Sequence, residues 1–115
     1  MTTYLITGSN RGIGLEYSRQ LKRRGDEVIA TCRSSSPELD DLGLRIEPSV
    51  DVTSGGSVLN LKKKLEGMRI DVLIQNAGIA EFNSLSNLDP ESVTRQFEVN
   101  ALSPLCFTHA FLDNM

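Results

Sequence analysis

A glycine-rich turn between a predicted strand and a predicted helix constrains this chain more than any other feature. Tyr4-Leu5-Ile6 is an apolar run typical of a strand, and helical spacing follows at Ile13, Tyr17 and Leu21. Between them lies Thr7-Gly8-Ser9-Asn10-Arg11-Gly12-Ile13-Gly14, in which the glycines are spaced G-x-x-x-G-x-G. A strand-to-helix turn of this kind presents backbone N–H groups to the phosphates of a dinucleotide.

Each of the three glycines has a separate expected role. Gly8 allows a tight exit from the strand, and Gly12, which has no Cβ, lets the backbone approach a pyrophosphate. Gly14 lets the helix pack close to the strand. The alternative is an ordinary turn, but the strand before it and the helix after it favour nucleotide binding.

Composition and charge exclude several other classes of protein. The chain has 115 residues, of which 39% are hydrophobic and 23% charged, so residues 1–115 are expected to form one small domain. A net charge of −3 suggests neither a nucleic-acid partner nor an anionic membrane surface. No apolar run approaches the ~20 residues of a membrane span. No metal-ligand spacing is present, so no bound metal is predicted.

The N-terminus and the cysteines favour a cytoplasmic location. Met1-Thr2-Thr3 runs directly into the first strand without a signal peptide. Cys32 and Cys106 are the only cysteines, and we expect free thiols. Cys106 is interpreted as a core residue, and His109, the only histidine, as structural.

Strands and helices alternate along the chain. Further strands are predicted at residues 28–32, 44–50 and 70–74, and helices at 12–24, at 54–65 and from Asp89-Pro90-Glu91 onward. Pro48 favours an edge position for the third strand, and residues 34–37 are predicted as a surface loop. The fold is therefore α/β: a Rossmann-type, doubly wound parallel sheet of order 3-2-1-4 that stops after the helix following strand four.

Four motifs, in this order, resemble those of the short-chain dehydrogenase/reductase family over the whole chain. They are Thr7-Gly8-x-x-x-Gly12-Ile13-Gly14, Asp51-Val52, Gln75-Asn76-Ala77-Gly78 with glutamine for the usual first asparagine, and Val99-Asn100-Ala101. Asn10-Arg11-Gly12 and Thr31-Cys32-Arg33 are similar to the carbonyl-reductase-like branch that includes the C-factor and sniffer proteins.

The resemblance implies a role for each matching position. Asp51 and Val52 would contact the adenine ring, and Asn100 would be the asparagine of the catalytic tetrad. The expected cofactor-binding residues are Gly8, Ser9, Asn10, Arg11, Gly12, Ile13, Gly14, Arg33, Ser34, Asp51, Val52, Asn76, Ala77 and Gly78.

The other three tetrad residues have no counterpart in this sequence. The family's catalytic tyrosine precedes a lysine by four residues, but the only tyrosines, Tyr4 and Tyr17, precede Gly8 and Leu21. The catalytic serine follows a fifth strand that is also missing. We therefore expect the cofactor-binding part of the family domain, whether as a fragment, a truncated product or a chain completed by a partner. Alone, it should show no turnover.

Pro104 gives Asn100 a possible second function. Proline has no N–H, so the carbonyl of Asn100, four residues earlier, loses its helical partner and is free to hold a water molecule. The alternative is a simple kink.

The end of strand two predicts NADP rather than NAD. An NAD enzyme places Asp or Glu there to accept from the ribose 2′-hydroxyl. Here the strand ends Thr31-Cys32-Arg33-Ser34, with no acid until Glu38. Arg33 can pair with a 2′-phosphate, and Arg11 can reach it from the glycine turn.

Two functions remain open on the sequence. The first is an NADP-dependent oxidoreductase that reduces a small-molecule carbonyl compound or oxidises the alcohol. The second is a non-catalytic dinucleotide-binding or signalling module. Asn100 favours the first, whereas the missing tyrosine-lysine pair favours the second for the isolated chain. The open edge at residues 72–74 predicts self-association.

Overall fold

A computed structural model describes residues 1–115, and its four strands form one parallel sheet. The strands are β1 (Thr3–Ile6), β2 (Glu27–Thr31), β3 (Arg45–Glu47) and β4 (Val72–Ile74). Their order is β3-β2-β1-β4, and every neighbouring pair is parallel, which confirms the predicted topology. Pro48 lies directly after β3, which is an edge strand, as expected from a residue that cannot donate to a ladder.

Five α-helices connect and follow these strands. They are α1 (Gly12–Arg23), α2 (Pro37–Asp40), α3 (Gly55–Lys64), α4 (Pro90–Phe97) and α5 (Ser103–Ala110). A π-helical turn, Glu98–Leu102, joins α4 to α5, and a 3₁₀ turn, Leu112–Asn114, follows α5. The start of α4 agrees with prediction, since the Asp89 carboxylate accepts the Glu91 N–H at 3.1 Å. No helix has the length and apolar character needed to cross a membrane.

Helix α2 begins at the last residue of the predicted loop and was not predicted from the sequence. Its first residue is Pro37, and the hydroxyl of Ser36 caps it by accepting the Leu39 N–H at 3.2 Å. Leu39 is fully buried and anchors this single turn to the sheet. A four-residue helix is too short to show periodicity, so α2 was missed, although residues 34–36 before it form the predicted loop.

The sheet separates two hydrophobic cores. Leu5 of β1 points to the face covered by α3 and α5, and Ile6 points to the face covered by α1 and α2. The first core includes Val58 and Leu61 of α3, and the second includes Leu21 of α1 and Leu39 of α2. Both faces of the sheet are therefore covered, as a doubly wound fold requires.

Helix α1 buries a different face from the one that its apolar residues indicate. Ile13 and Tyr17 are 69% and 45% exposed, while Gly14, Ser18 and Leu21 are buried. Ser18 avoids an unsatisfied hydroxyl by donating to the Gly14 carbonyl at 2.9 Å. The close approach of Gly14 sets the orientation of this helix, so the spacing of Ile13, Tyr17 and Leu21 indicates the helix but not the face that it buries.

The assignment of Cys106 to the core was also wrong. Cys106 is exposed, and α5 instead directs Ser103 and Phe107, four residues apart, toward the sheet. Cys32 is buried, and burial raises the pKa of its thiol. Neither cysteine forms a disulfide.

We predict that Phe107→Ala destabilises the fold severely. Phe107 is fully buried and stacks on Phe111 with ring centroids 4.8 Å apart, so its loss leaves a cavity costing about 3–5 kcal/mol. Urea unfolding followed by circular dichroism measures the change. Phe97, 60% exposed, is the matched control, and its change to alanine should cost less than about 1 kcal/mol. Equal losses for the two variants would contradict the described packing.

Candidate nucleotide-binding site

The loops after β1 and β4 are tied together at the C-terminal edge of the sheet. The hydroxyl of Thr7, which is 1% exposed, accepts the backbone N–H groups of Asn76 and Ala77, both at 3.0 Å. The Asn76 side-chain amide donates to the Gly8 carbonyl, also at 3.0 Å. Three hydrogen bonds thus fix the glycine turn against the Asn-Ala-Gly loop, at the point where the strand order reverses.

Gly14 is required because α1 begins directly against this junction. A Cβ on Gly14 would lie 2.2 Å from the Gly8 carbonyl oxygen and 2.5 Å from Nδ2 of Asn76. Gly8 itself has φ +65°, a conformation that favours glycine. The close contact of Gly14 is therefore with the turn and Asn76, whereas the sequence pointed to the strand.

The start of α1 leaves donors available on an open surface. Gly12 has φ +57°, and a Cβ there would meet no atom within 4 Å. The N-cap residue Arg11 makes no side-chain cap, and the N–H groups of Gly12, Ile13 and Gly14 find no acceptor in the protein. Side chains cap α2, α3 and α4. The first turn of α1 therefore has free donors and the positive end of the helix dipole, which suit an anion.

Positive and negative groups lie side by side beyond β2 and β3. Arg33 and Ser34, after β2, are exposed, and neither Arg33 nor Arg11 pairs with a carboxylate. Asp51, after β3, accepts the N–H and hydroxyl of Thr53 at 2.9 and 2.7 Å. These bonds, assisted by the charge of Arg33, hold the pKa of Asp51 below its usual value. Thr53 was not predicted as part of the site.

Asn100 clamps the segment that leaves the Asn-Ala-Gly loop. Its Oδ1 accepts the Ile79 N–H at 2.9 Å, and its Nδ2 donates to the Ile79 carbonyl at 2.7 Å. Gly78 allows this approach, since a Cβ there would lie 3.2 Å from Oδ1 of Asn100.

A second clamp lies one helical turn earlier and was missed from the sequence. Gln96 accepts the Glu81 N–H at 3.1 Å and donates to the Glu81 carbonyl at 2.9 Å. Four residues along a helix rise about as far as two residues along an extended chain, so Gln96 and Asn100 meet alternate residues. The signal available in the sequence was this pair of side-chain amides four residues apart.

The π-helical turn contains Asn100 and ends two residues before Pro104. Ser103 supplies both its N–H and its hydroxyl to the Glu98 carbonyl, the hydroxyl at 2.6 Å. Pro104 lies in the first turn of α5, where a missing N–H is tolerated. The helix is thus widened into a π-helical turn before Pro104, and water binding by the Asn100 carbonyl stays a prediction.

The predicted cofactor-binding residues fall into three groups at one edge of the sheet. Gly8 to Gly14 form the turn and helix start, Asn76 to Gly78 oppose them, and Arg33, Ser34, Asp51 and Val52 lie beyond β2 and β3. Ser9 is fully buried, and its N–H donates to the Thr31 carbonyl at 3.0 Å, which connects the turn to β2. No group of three metal-ligating side chains forms, and His109 is exposed.

A glycine turn above a parallel sheet of order 3-2-1-4, braced against the loop after β4, defines a Rossmann-type nucleotide-binding fold. The family model described as short chain dehydrogenase matches residues 2–115. This chain belongs to the short-chain dehydrogenase/reductase family of oxidoreductases.

Two curated relatives show how much of the family domain is represented. A 1-hydroxy-2-glutathionyl-2-methyl-3-butene dehydrogenase of Rhodococcus sp. (strain AD45) is 39% identical over 107 residues, covering 91% of this chain and 47% of the relative. The short-chain dehydrogenase fogD of Aspergillus ruber (strain CBS 135680) is 39% identical over 115 residues, covering 95% and 40%. The chain thus spans less than half the length of these relatives.

Solved structures agree with the fold over almost the whole chain. An NADPH-bound carbonyl reductase from chicken fatty liver has a TM-score of 0.81 at 30% identity, covering 97% of this chain and 50% of that structure. A short-chain dehydrogenase from Streptomyces avermitilis has a TM-score of 0.85 at 29% identity, covering 97% and 44%. The four strands and their helices are therefore the common part.

We predict that Gly14→Ala lowers the free energy of unfolding by about 1–3 kcal/mol, because the added Cβ collides with backbone and must displace α1 or the turn. Gly55→Ala is the control: its Cβ meets no atom within 4 Å, so this variant should be as stable as wild type or gain up to about 1 kcal/mol. Chemical denaturation measures both. Wild-type stability of Gly14→Ala would rule out the described contact.

Proposed function

We propose that this chain forms the NADP-binding part of an oxidoreductase that interconverts a small-molecule carbonyl compound and its alcohol. One observation carries the choice of nucleotide: Arg33, directly beyond β2, is exposed and unpaired, with no acid at that position. Residues 1–115 are proposed to act as one nucleotide-binding domain.

The free groups at the sheet edge fit the parts of a dinucleotide. The uncapped first turn of α1 suits a pyrophosphate, and Asp51 with Val52 suits the adenine, since the ionised carboxylate accepts from an amino group. Asn76 and Ala77 lie against Gly8 and Thr7 at the start of the turn, and we propose that the segment Asn76 to Gly78 holds the ribose beside the nicotinamide. The open space beside Gly12 leaves room for this ligand.

Charge favours NADP over NAD at this edge. A carboxylate after β2 would accept from a ribose 2′-hydroxyl but repel a 2′-phosphate. Here the guanidinium of Arg33 occupies that end of the strand, and Arg11 lies in the glycine turn. The similarity to an NADPH-bound carbonyl reductase supports the same choice, although it concerns another protein.

The chain's own residues account for binding and orientation. NADP supplies hydride chemistry when bound, and a carbonyl substrate also needs a proton. Tyr4 packs against the core beneath α1 and Tyr17 lies on α1, so neither is proposed as the donor. Asn100 is proposed as the tetrad residue, held by Ile79. The similarity to dehydrogenases over 91% and 95% of the chain does not favour a non-catalytic module.

Two further proposals concern association and location. β4 pairs only with β1, and its residues Val72 to Ile74 are half-buried, so its free edge is proposed to mediate self-association. A cytoplasmic location is proposed on the ground that Cys32 and Cys106 remain free thiols.

We predict that Arg33→Ala weakens NADPH binding by about 10–100-fold and leaves NADH binding within about twofold, because one charge-assisted contact to the 2′-phosphate is lost. Isothermal titration of both cofactors tests this. Arg23→Ala, at the far end of α1, is the control and should change neither affinity. Tighter NADH than NADPH binding by wild type, or an equal loss for both, would refute NADP preference.

A further inference from the structure

Ser36 connects the loop after β2 to the glycine turn. Its hydroxyl donates to the Asn10 carbonyl at 2.6 Å and accepts the Leu39 N–H at 3.2 Å. Ser36 is half-buried, and 26 residues separate it from Asn10 along the chain. This hydroxyl therefore joins two loops that no motif places together.

The position of Ser36 is fixed by the short helix α2, which it caps. Ser36 is the N-cap of α2, and its own carbonyl accepts the Asp40 N–H at 2.9 Å. Leu39 is fully buried in the core beneath α1. Because α2 is anchored from below, the hydroxyl of Ser36 has a fixed position from which to hold Asn10.

The rest of the glycine turn is held from other directions. The Ser9 N–H donates to the Thr31 carbonyl at 3.0 Å, and Asn76 holds the Gly8 carbonyl. The carbonyl of Asn10, the residue after Ser9, accepts a hydrogen bond only from the hydroxyl of Ser36. The residue that follows is Arg11, whose side chain is exposed and pairs with no carboxylate. The hydroxyl of Ser36 therefore holds the backbone of the glycine turn directly before Arg11.

We propose that Ser36 is a positioning residue for recognition of the 2′-phosphate of NADP. It acts through the backbone of Asn10, and keeps Arg11 on the side of the turn that faces the segment carrying Arg33. Since NADH lacks the phosphate that these arginines would contact, Ser36 contributes to nucleotide preference more than to general dinucleotide affinity. This role rests on the proposed NADP binding.

Two substitutions distinguish the hydrogen bond from Ser36 to the Asn10 carbonyl from the capping of α2 by the same hydroxyl. Ser36→Gly removes the donor hydroxyl, but glycine is nearly as good an N-cap as serine, so α2 should persist. Ser36→Thr retains a hydroxyl and should restore wild-type behaviour. Ser35→Ala is the control, because the Ser35 hydroxyl contacts Asp40 at 2.6 Å and not the glycine turn.

The first measurement is titration of NADPH and NADH into each variant. We expect Ser36→Gly to weaken NADPH binding by about tenfold and NADH binding by less than about twofold. In an Arg11→Ala background, Ser36→Gly should have little further effect, because a double-mutant cycle exposes groups that act through each other. Equal losses for both cofactors, or additive effects of the two substitutions, would overturn the positioning role.

A second measurement needs no cofactor. It therefore distinguishes failure of the positioning role of Ser36 from failure of the proposed NADP preference. Amide hydrogen exchange at Ser9 and Leu15, whose N–H groups donate to the Thr31 and Arg11 carbonyls on either side of Asn10, should accelerate in Ser36→Gly and return to wild-type rates in Ser36→Thr. Unchanged exchange in Ser36→Gly would show that the hydrogen bond from Ser36 does not hold the glycine turn, whichever nucleotide the wild type prefers. Tighter NADH binding by wild type with accelerated exchange in Ser36→Gly would remove NADP preference, and the proposed role of Ser36 with it, while leaving the hydrogen bond from Ser36 to the glycine turn.

Discussion

The hydrogen bonds that Thr7 and Asn76 make between the loops after β1 and β4 organise the whole C-terminal edge of the sheet. β1 and β4 are neighbours, but their connections pass over opposite faces, so pairing of the strands alone does not set the distance between their loops. Thr7 and Asn76 set that distance. In this arrangement the Gly8 carbonyl and the Asn76 side chain lie so close to the start of α1 that only glycine fits at position 14.

Long-range ties of the same kind extend outward from this junction. Asn100 and Gln96 hold the segment after the Asn-Ala-Gly loop, and Ser36 holds the tip of the glycine turn. Each uses a side chain from one element to satisfy backbone groups of another, which leaves the loops ordered without burying them. The donors at the start of α1 stay unsatisfied within this frame, so they are available to a ligand.

The topology and the position of the candidate site could be predicted from the sequence. Strand patterns and turn glycines are local signals, and the handedness of crossovers is a general rule. The sequence was insufficient where tertiary contacts override pattern. Cys106 was interpreted as a core residue, but the packing of Phe107 turns it outward. The close approach of Gly14 likewise leaves the apolar Ile13 exposed. Ser36 and Gln96 were missed because their partners are backbone groups 15 or more residues away.

Mapping of backbone amide shifts during titration with NADPH tests most directly whether this braced edge is a dinucleotide site. We expect the largest ¹H–¹⁵N shifts at Gly12, Ile13 and Gly14, whose N–H groups have no acceptor in the protein, and smaller shifts at Ala77 and Gly78. Saturation with the largest shifts in the groove between α3 and α5, near Leu59 and Leu102, would contradict the assignment of the site. So would the absence of any shift at millimolar NADPH.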